Sequence, residues 1–463
     1  MPGPESTTVL KPVPGSGPGA AAESGLPAAL AEPAAPRPVA GTGWGAIRPL
    51  LLRLHFYAGV FVGPFLLIAA LTGIAYVWTP QLEQAVYADE LHVPAAAGAL
   101  ALDRQVAIAR AEVPDGAVTG VRPGPTATDT TQVVFTRPGL APSYYYTVFV
   151  DPHTGAVRGA LETYGSGQAL PLRGWIDTLH RSLHLGDFGR LYSELAASWL
   201  WVVTLAGVVL WLGRRRSARR AQGRRRLLNR HGTVGLSVAA ALLFLSATGL
   251  TWSLHAGANI TDLRSSWNWT TPSVTAAAPA TAGDVGWQTA REATARAGLA
   301  DPVEIRPPSG AGESYVVQQV GRTWPEKQDA MTVDPGTGRV TGTLRFADYP
   351  LAAKLSRWGI DAHMGLLFGV ANQIVLTVVG IAVVCLVCWG YRMWWLRRPA
   401  RGGARFGRPP GRGAWRRVPG RVLAPVLVTG AVLAWFLPVF GVSLLAFLAV
   451  DVVLGLRRRE VPR

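Results

Sequence analysis

The chain is organised around apolar blocks long enough to cross a lipid bilayer, separated by two polar stretches of roughly 100 residues each. A helix needs about 20 apolar residues to span hydrocarbon, and only helices or closed barrels satisfy their backbone groups there. The blocks run over roughly 54–79, 193–213, 232–254 and 367–396, followed by an apolar region near 422–456. That last region is too long for one span, and Pro438 and Gly441 near its middle divide it into a hairpin of two shorter helices. A single soluble domain is excluded by this patterning, with 49% of the 463 residues hydrophobic and 16% charged.

A net charge of +17 would point to nucleic acid if the basic residues formed a stripe on a soluble fold. They gather instead at the ends of apolar blocks: Arg214-Arg215-Arg216, Arg219-Arg220 and Arg224-Arg225-Arg226, then Arg397-Arg398 through Arg416-Arg417, and Arg457-Arg458-Arg459. The positive-inside rule makes these ends cytoplasmic, and Arg48 and Arg53 place the N-terminus inside as well. Six spans then close with both termini cytoplasmic, and the partner implied by the charge is the lipid bilayer, not nucleic acid. Residues 1–45, rich in Pro, Ala, Gly and Ser, read as a disordered cytoplasmic tail. They do not read as a cleaved signal, because the apolar run begins only near residue 54. The expected layout is a tail over 1–45, spans over 46–79, 179–213, 231–254 and 363–396, and extracytoplasmic α+β domains over 80–178 and 255–362. Basic cytoplasmic loops occupy 214–230 and 397–421, the hairpin 422–456, and a cytoplasmic tail 457–463.

The two halves repeat one another. His55 is followed by Gly59 and Thr72-Gly73, and His231 by Gly235 and Thr248-Gly249, at the same distances. His180 precedes Gly186, Trp211 and Arg214 as His363 precedes Gly369, Trp394 and Arg397. Both polar stretches carry an amphipathic helix (near 103–112 and 286–298) and then a hairpin around a D-P-x-T-G turn at Asp151 and Asp334. A duplicated helix, α+β domain and helix follows, the halves related by a pseudo-two-fold axis along the membrane normal. Cys385 and Cys388 both fall in the fourth span and read as small core residues. Without a disulfide framework, each outside domain is expected to fold on its own core.

Four histidines paired in this way have the pattern of haem ligands, imidazole being the common protein ligand to haem iron. His55 and His231 sit at the cytoplasmic ends of their helices, His180 and His363 at the outer ends. Gly59 and Gly235 lie one turn along from their histidines, where missing side chains leave room for a flat macrocycle. A lone histidine at a helix end would more simply face lipid headgroups; the matched pairing turns the argument towards ligation, since ionisable groups bordering spans are costly. His184 shares the face of His180 one helical turn on and is its rival, although the repeat aligns it with Leu367. His255, at the outer end of the third helix, has no repeat partner but could still reach the outer haem pocket or a substrate. Glu194 serves either a ligand histidine or a helix start. His153 reads as a solvated turn residue, and neither His92 nor any catalytic residue is assigned a role.

Leu54-His55 with Thr72-Gly73, Leu179-His180-Arg181-Ser182-Leu183 running into Leu185-Gly186, and Glu194 through Trp199 carry a resemblance. Arg230-His231 leading to Thr248-Gly249-Leu250-Thr251-Trp252-Ser253, with His363, Phe368-Gly369 and Asn372-Gln373, extend it over about 48–400. In order and spacing the chain resembles the PepSY-associated transmembrane family of iron-regulated membrane proteins. The 422–456 hairpin departs from that pattern. The resemblance implies a polytopic α-helical membrane protein of the plasma or inner membrane. Its duplicated helix, PepSY-like α+β domain and helix units would form a four-helix bundle holding two b-type haems. It further implies an oxidoreductase that moves electrons to an outside acceptor, a ferric siderophore or other iron chelate. No Gly-rich dinucleotide fingerprint is present, so the donor would be a quinol or a redox protein. Two competitors stand beside this: a PepSY-type binding or regulatory membrane protein that inhibits a protease or senses a ligand, and an iron or haem transporter. The transporter would want charged residues at mid-membrane, where the spans offer mainly Ser, Thr and Gly. Trp175, Trp358, Trp267 and Trp269 serve as interfacial anchors or as substrate contacts.

Overall fold

The chain enters through α1 (Trp44–Val77), and short helices α2 (Thr79–Val86) and α3 (Ala88–Leu91) lead into a first lobe. That lobe comprises α4 (Leu102–Glu112) and strands β1 (Ala117–Arg122), β2 (Thr131–Thr136), β3 (Tyr144–Val150) and β4 (Val157–Tyr164), and α5 (Pro171–Ser182) and α6 (Gly186–Leu212) return from it. The second half runs through α7 (Gly223–Leu250), α8 (Ala256–Ser266), α9 (Gly286–Arg296), β5 (Val303–Arg306), β6 (Tyr315–Gln319), β7 (Ala330–Val333) and β8 (Val340–Leu344). It returns through α10 (Leu351–His363) and α11 (Gly369–Trp395), and α12 (Gly420–Phe436) and α13 (Pro438–Arg457) close the chain. This computed structural model describes residues 44–213, 222–274, 283–310, 312–325, 328–398, 410, 413, 415 and 418–457. The N-terminal tail up to residue 43, the arginines of 214–220, Arg416-Arg417 and Arg458-Arg459 lie outside the described residues.

Among the described residues, α1, α6, α7 and α11 are long and apolar enough to cross a membrane. Each packs on two of the others, α1 on α6 and α11, and α7 on α6 and α11, closing a four-helix bundle. The return spans expected over 179–213 and 363–396 are not continuous helices. α5 stops at Ser182 and α6 starts at Gly186, with Leu183 and His184 held at φ 53° and 57°. A Cβ on Gly189 would fall 1.7 Å from the Ser182 carbonyl oxygen, so the first turn of α6 can abut the end of α5 only with glycine there. In the second half the break falls between His363 and Gly369, around Gly365 at φ 79°. Both histidines therefore sit in the last turn of a short helix, just before the spanning helix begins.

The polar lobes do not fold on separate cores. Their strands form one eight-stranded antiparallel sheet in the order β4-β3-β2-β1-β5-β6-β7-β8. The seam is the β1–β5 pairing, where Val121 faces Ile305. Val106, Val121, Phe135 and Val148 of the first lobe share one buried cluster with Trp287, Ile305, Tyr315 and Val333 of the second. The physical reason is the edge: each four-stranded half has two edge strands, and joining β1 to β5 removes one from each, leaving only β4 and β8 at the margins of the sheet. The helices above the sheet also cap each other. Asp103 accepts from the Trp287 and Gln288 N–H groups at 2.9 and 3.1 Å, and Gln288 Oε1 accepts from the Leu102 N–H at 3.1 Å. Both D-P-x-T-G turns close as read: Asp151 accepts from the His153 N–H at 2.8 Å and Asp334 from the Gly336 N–H at 2.7 Å.

The C-terminal hairpin packs on α6 through α13. Leu437 and Phe440 at its turn join a cluster with Trp199, Val202 and Ala256, and Asn259 Nδ2 donates to the Phe436 carbonyl at 2.9 Å. At the other end of α13, Asp451 pairs with the buried guanidinium of Arg53. The hairpin thus runs the depth of the bundle, from α8 near the sheet to the far end of α1. Its helices of 17 and 20 residues are apolar but shorter than the four spanning helices.

Candidate functional site

At the end of the bundle away from the sheet, His55 on α1 faces His231 on α7. Their ring centroids are 6.0 Å apart and their planes 83° to each other. Each ring is backed by a main-chain carbonyl of a further helix: His55 Nδ1 lies 2.9 Å from the Val203 oxygen on α6, and His231 Nδ1 3.2 Å from the Leu386 oxygen on α11. A carbonyl only accepts, so Nδ1 carries the proton and donates, leaving the lone pair on Nε2. Val203 and Leu386 occupy matching places, equally far after His180 and His363. Gly207, one turn beyond Val203, makes room for the ring, since a Cβ there would stand 3.0 Å from His55 Cε1.

At the sheet-proximal end the same device is built from side chains. Thr72 Oγ1 lies 2.9 Å from His180 Nδ1, and Thr248 Oγ1 2.6 Å from His363 Nδ1. Each hydroxyl also donates at 2.8 Å to the carbonyl four residues back, Ile68 and Phe244 respectively. The glycine after each threonine faces the ring: a Cβ on Gly73 would be 3.3 Å from His180 Cε1, and one on Gly249 4.0 Å from His363 Cε1. Trp252 meets the His363 ring edge to face at 5.2 Å. Burial pushes the His180 imidazole below its ordinary range; burial first, and the neighbouring His180 second, push His363 down to about 3.

Charges line the junction between bundle and sheet. Asp361, fully buried two residues before His363, stands 3.1 Å from Arg357 and 3.5 Å from Arg322. Glu83 pairs with Arg173 at 2.9 Å and accepts from the Leu170 N–H. Burial pushes the Glu83 and Asp177 carboxyls up, with arginines opposing it: Arg173 at Glu83, and Arg181 and Arg173 at Asp177. The backbone N–H of Trp324 donates to the Leu367 carbonyl at 2.7 Å, and its ring packs against Trp358 and Phe368. Nothing in the residue pattern singles out Trp324, because its loop is brought to α10 and α11 only by the folded sheet.

The remaining candidates are placed differently. His184 does not share a helix face with His180, because α5 has ended; its ring stacks on the exposed Trp175 at 4.9 Å. His255 is exposed and begins α8. The fully buried Glu194 caps that helix, its two oxygens each 2.9 Å from the His255 and Ala256 N–H groups. A Cβ on Gly59 would meet nothing within 4 Å, and one on Gly235 only Leu386 at 3.6 Å, so the protein's own packing demands glycine at neither. His153 is not simply solvated: Nδ1 lies 2.5 Å from the Gly98 carbonyl and Nε2 2.8 Å from that of Ala127. Two acceptors require both nitrogens to be protonated, and these bonds, Ala127 first, raise its pKa. His92 bridges Asp129 and Gln84 at 3.1 and 2.5 Å.

The threonine hydroxyls and the two carbonyls that meet the imidazoles are groups that sequence reading does not single out. Thr72-Gly73 and Thr248-Gly249 were visible as a matched dipeptide without a role; main-chain carbonyls carry no residue signal. A search among curated proteins returns no match. The family model described as the PepSY-associated TM region matches residues 52–397, taking in all four helices of the bundle and the whole sheet, and the chain belongs to that family.

Proposed function

We propose that this membrane protein is a two-haem electron carrier, with one haem held by His55 and His231 and a second by His180 and His363. One observation carries the reading: all four imidazoles turn Nδ1 to an acceptor, in two matched pairs, and leave Nε2 free to ligate. The donor set fits such a group. The His55 and His231 rings stand 6.0 Å apart, and each would offer its Nε2 to the group. Two imidazoles complete an iron site only where a macrocycle fills the plane, and among the described residues no group of three or more His, Cys, Asp or Glu forms a site for a bare ion. The open flank of Gly59 is consistent with a flat group beside His55.

When bound, bis-imidazole haem supplies one-electron chemistry without an open coordination position. The chain's own part is to hold and orient the rings and keep water from them. Carbonyls and hydroxyls fix each imidazole through Nδ1, while apolar residues such as Val62, Val202 and Leu242 are buried within the bundle. In this reading electrons enter at a cytoplasmic face beside His55 and His231 and leave at the sheet side. Arg224-Arg225-Arg226 and Arg397-Arg398, at the ends of α7 and α11 away from the sheet, support that orientation. Family likeness supports a ferric siderophore or other iron chelate as acceptor, and a quinol or redox protein as donor. Protein reduced with dithionite in detergent should be reoxidised by a ferric siderophore, with Fe(II) trapped by a chromogenic chelator; absence of reoxidation would remove the ferric chelate as acceptor.

A binding-module reading is favoured by one feature, an open cavity of about 380 Å³ at the seam of the sheet, lined by His92, Arg122, Asp129, Gln132 and Val303 among others. A colourless protein that binds a peptide there would support it.

A further inference from the structure

The two histidine pairs differ in one respect that residue spacing does not reveal. His55 and His231 lean on main-chain carbonyls, which no side-chain substitution deletes. His180 and His363 lean on hydroxyls. We propose that Thr72 and Thr248 are positioning residues that fix the tautomer and set the electron density of the sheet-proximal ligand pair alone, making it the site whose ligand hydrogen bonds a side-chain substitution can delete; this rests on the haem reading above.

The argument begins with the single proton of a threonine hydroxyl. Thr72 Oγ1 lies 2.8 Å from the Ile68 carbonyl oxygen and 3.2 Å from that of Ala69. Thr248 Oγ1 lies 2.8 Å from Phe244 O and 3.3 Å from Leu245 O. Carbonyl oxygens only accept, so the hydroxyl proton is directed back along the helix and the oxygen lone pairs face the imidazole. Towards His180 and His363 the threonines are therefore acceptors, and each Nδ1 donates. The lone pair of each ring is then on Nε2, the nitrogen left to ligate.

The Thr-Gly dipeptide gives each residue one task. The hydroxyl takes Nδ1, and at Gly73 the absent side chain leaves room for the ring edge at Cε1, whereas a Cβ on Gly249 would stand in ordinary contact with His363. A partner on the distal nitrogen orients a ligating histidine and raises its basicity, and removing such a partner typically costs roughly 10–100-fold in metal affinity or activity. Loss of the acceptor leaves Nδ1–H undirected and draws electron density away from Nε2. Ferric iron then loses more stabilisation than ferrous iron, and the midpoint potential of that site moves to more positive values. Valine has nearly the shape of threonine and keeps its stiff β-branched rotamer in a helix, whereas serine keeps the hydroxyl.

The test is a spectroelectrochemical titration of the full-length, haem-loaded protein beside Thr72→Val, Thr248→Val and Thr72→Ser. His180→Ala identifies the component that belongs to the sheet-proximal pair. In either valine variant that component is expected to shift positive and to lose haem faster, on the order of 10–100-fold, while the other component keeps its potential. Thr72→Ser is expected to hold the wild-type value. Unchanged potentials in haem-replete valine variants would overturn the proposal and leave the haem reading intact, as would a joint shift of both components. A wild-type protein that takes up no haem would overturn the reading on which it rests.

Discussion

His55 and His231 stand 6.0 Å apart with perpendicular rings, each held from behind by a carbonyl of a helix that carries neither of them. The pair is therefore a property of four helices, and its geometry responds to the neighbours that shape it. Gly207→Ala places a methyl 3.0 Å from His55 Cε1, which the ring can accommodate only by shifting. The expected result is a changed haem spectrum and weaker retention at the sheet-distal site, with the sheet-proximal site unaltered. Gly59 offers the complementary substitution. The protein leaves open space at its Cβ, so Gly59→Leu should leave folding intact and disturb haem uptake; unchanged haem content would show that no bound group occupies that flank.

Glu194 is expected to act on structure alone. Its carboxylate satisfies two buried N–H groups at the start of α8. Glu194→Gln keeps the size but replaces one acceptor by a donor, leaving an N–H unpaired at a cost of about 1–3 kcal/mol. Chemical denaturation should show that loss while the haem absorption of the folded fraction stays at wild type. A spectral shift in this variant would make Glu194 part of the haem environment instead.

The sheet should carry a pH dependence from His153. Its folded pKa is raised by the carbonyls of Ala127 and Gly98 above the ordinary value of 6.5. The stabilisation is therefore fully present below about pH 6.5 and is lost as pH rises through the higher folded value. Sheet unfolding followed by circular dichroism should weaken over that window in the wild type and change less in His153→Ala. Identical pH profiles for the two proteins would contradict the ion assignment.

Sidedness is open to direct labelling. In a background lacking Cys385 and Cys388, a cysteine placed beside Asp151 or Asp334 should react with an impermeant thiol reagent in intact cells, and one beside Gly223 should not. Moving the arginine-rich ends across is opposed by about 2.5–3.5 kcal/mol per arginine at a helix centre. The reverse labelling pattern would overturn the proposed direction of electron flow.

What could be read from residues alone follows a physical division. Apolar runs announced α1, α6, α7 and α11, since hydrophobic length is a local property. Asp151 and Asp334 announced their turns through side chains that bond their own backbone. The histidine pairs were visible because equal spacing survives in sequence. The breaks after Ser182 and His363 were missed although Gly186, Gly365 and Gly369 take positive φ there, because a glycine beside a long apolar run equally serves close helix packing. The merged sheet was hidden as well: the facing of Val121 and Ile305 depends on long-range pairing that no local pattern encodes. Arg53 looked like an orientation signal, yet its guanidinium is buried against Asp451 from the last helix.

The most direct test of the two-site account is the absorption spectrum of the purified protein, reduced and oxidised, beside single replacements of the four histidines. The account predicts a Soret band that shifts on dithionite reduction. His55→Ala or His231→Ala should each remove about half the haem and spare the sheet-proximal site, with His180→Ala and His363→Ala doing the reverse. Full haem content in all four variants, or no haem in the wild type, would contradict it.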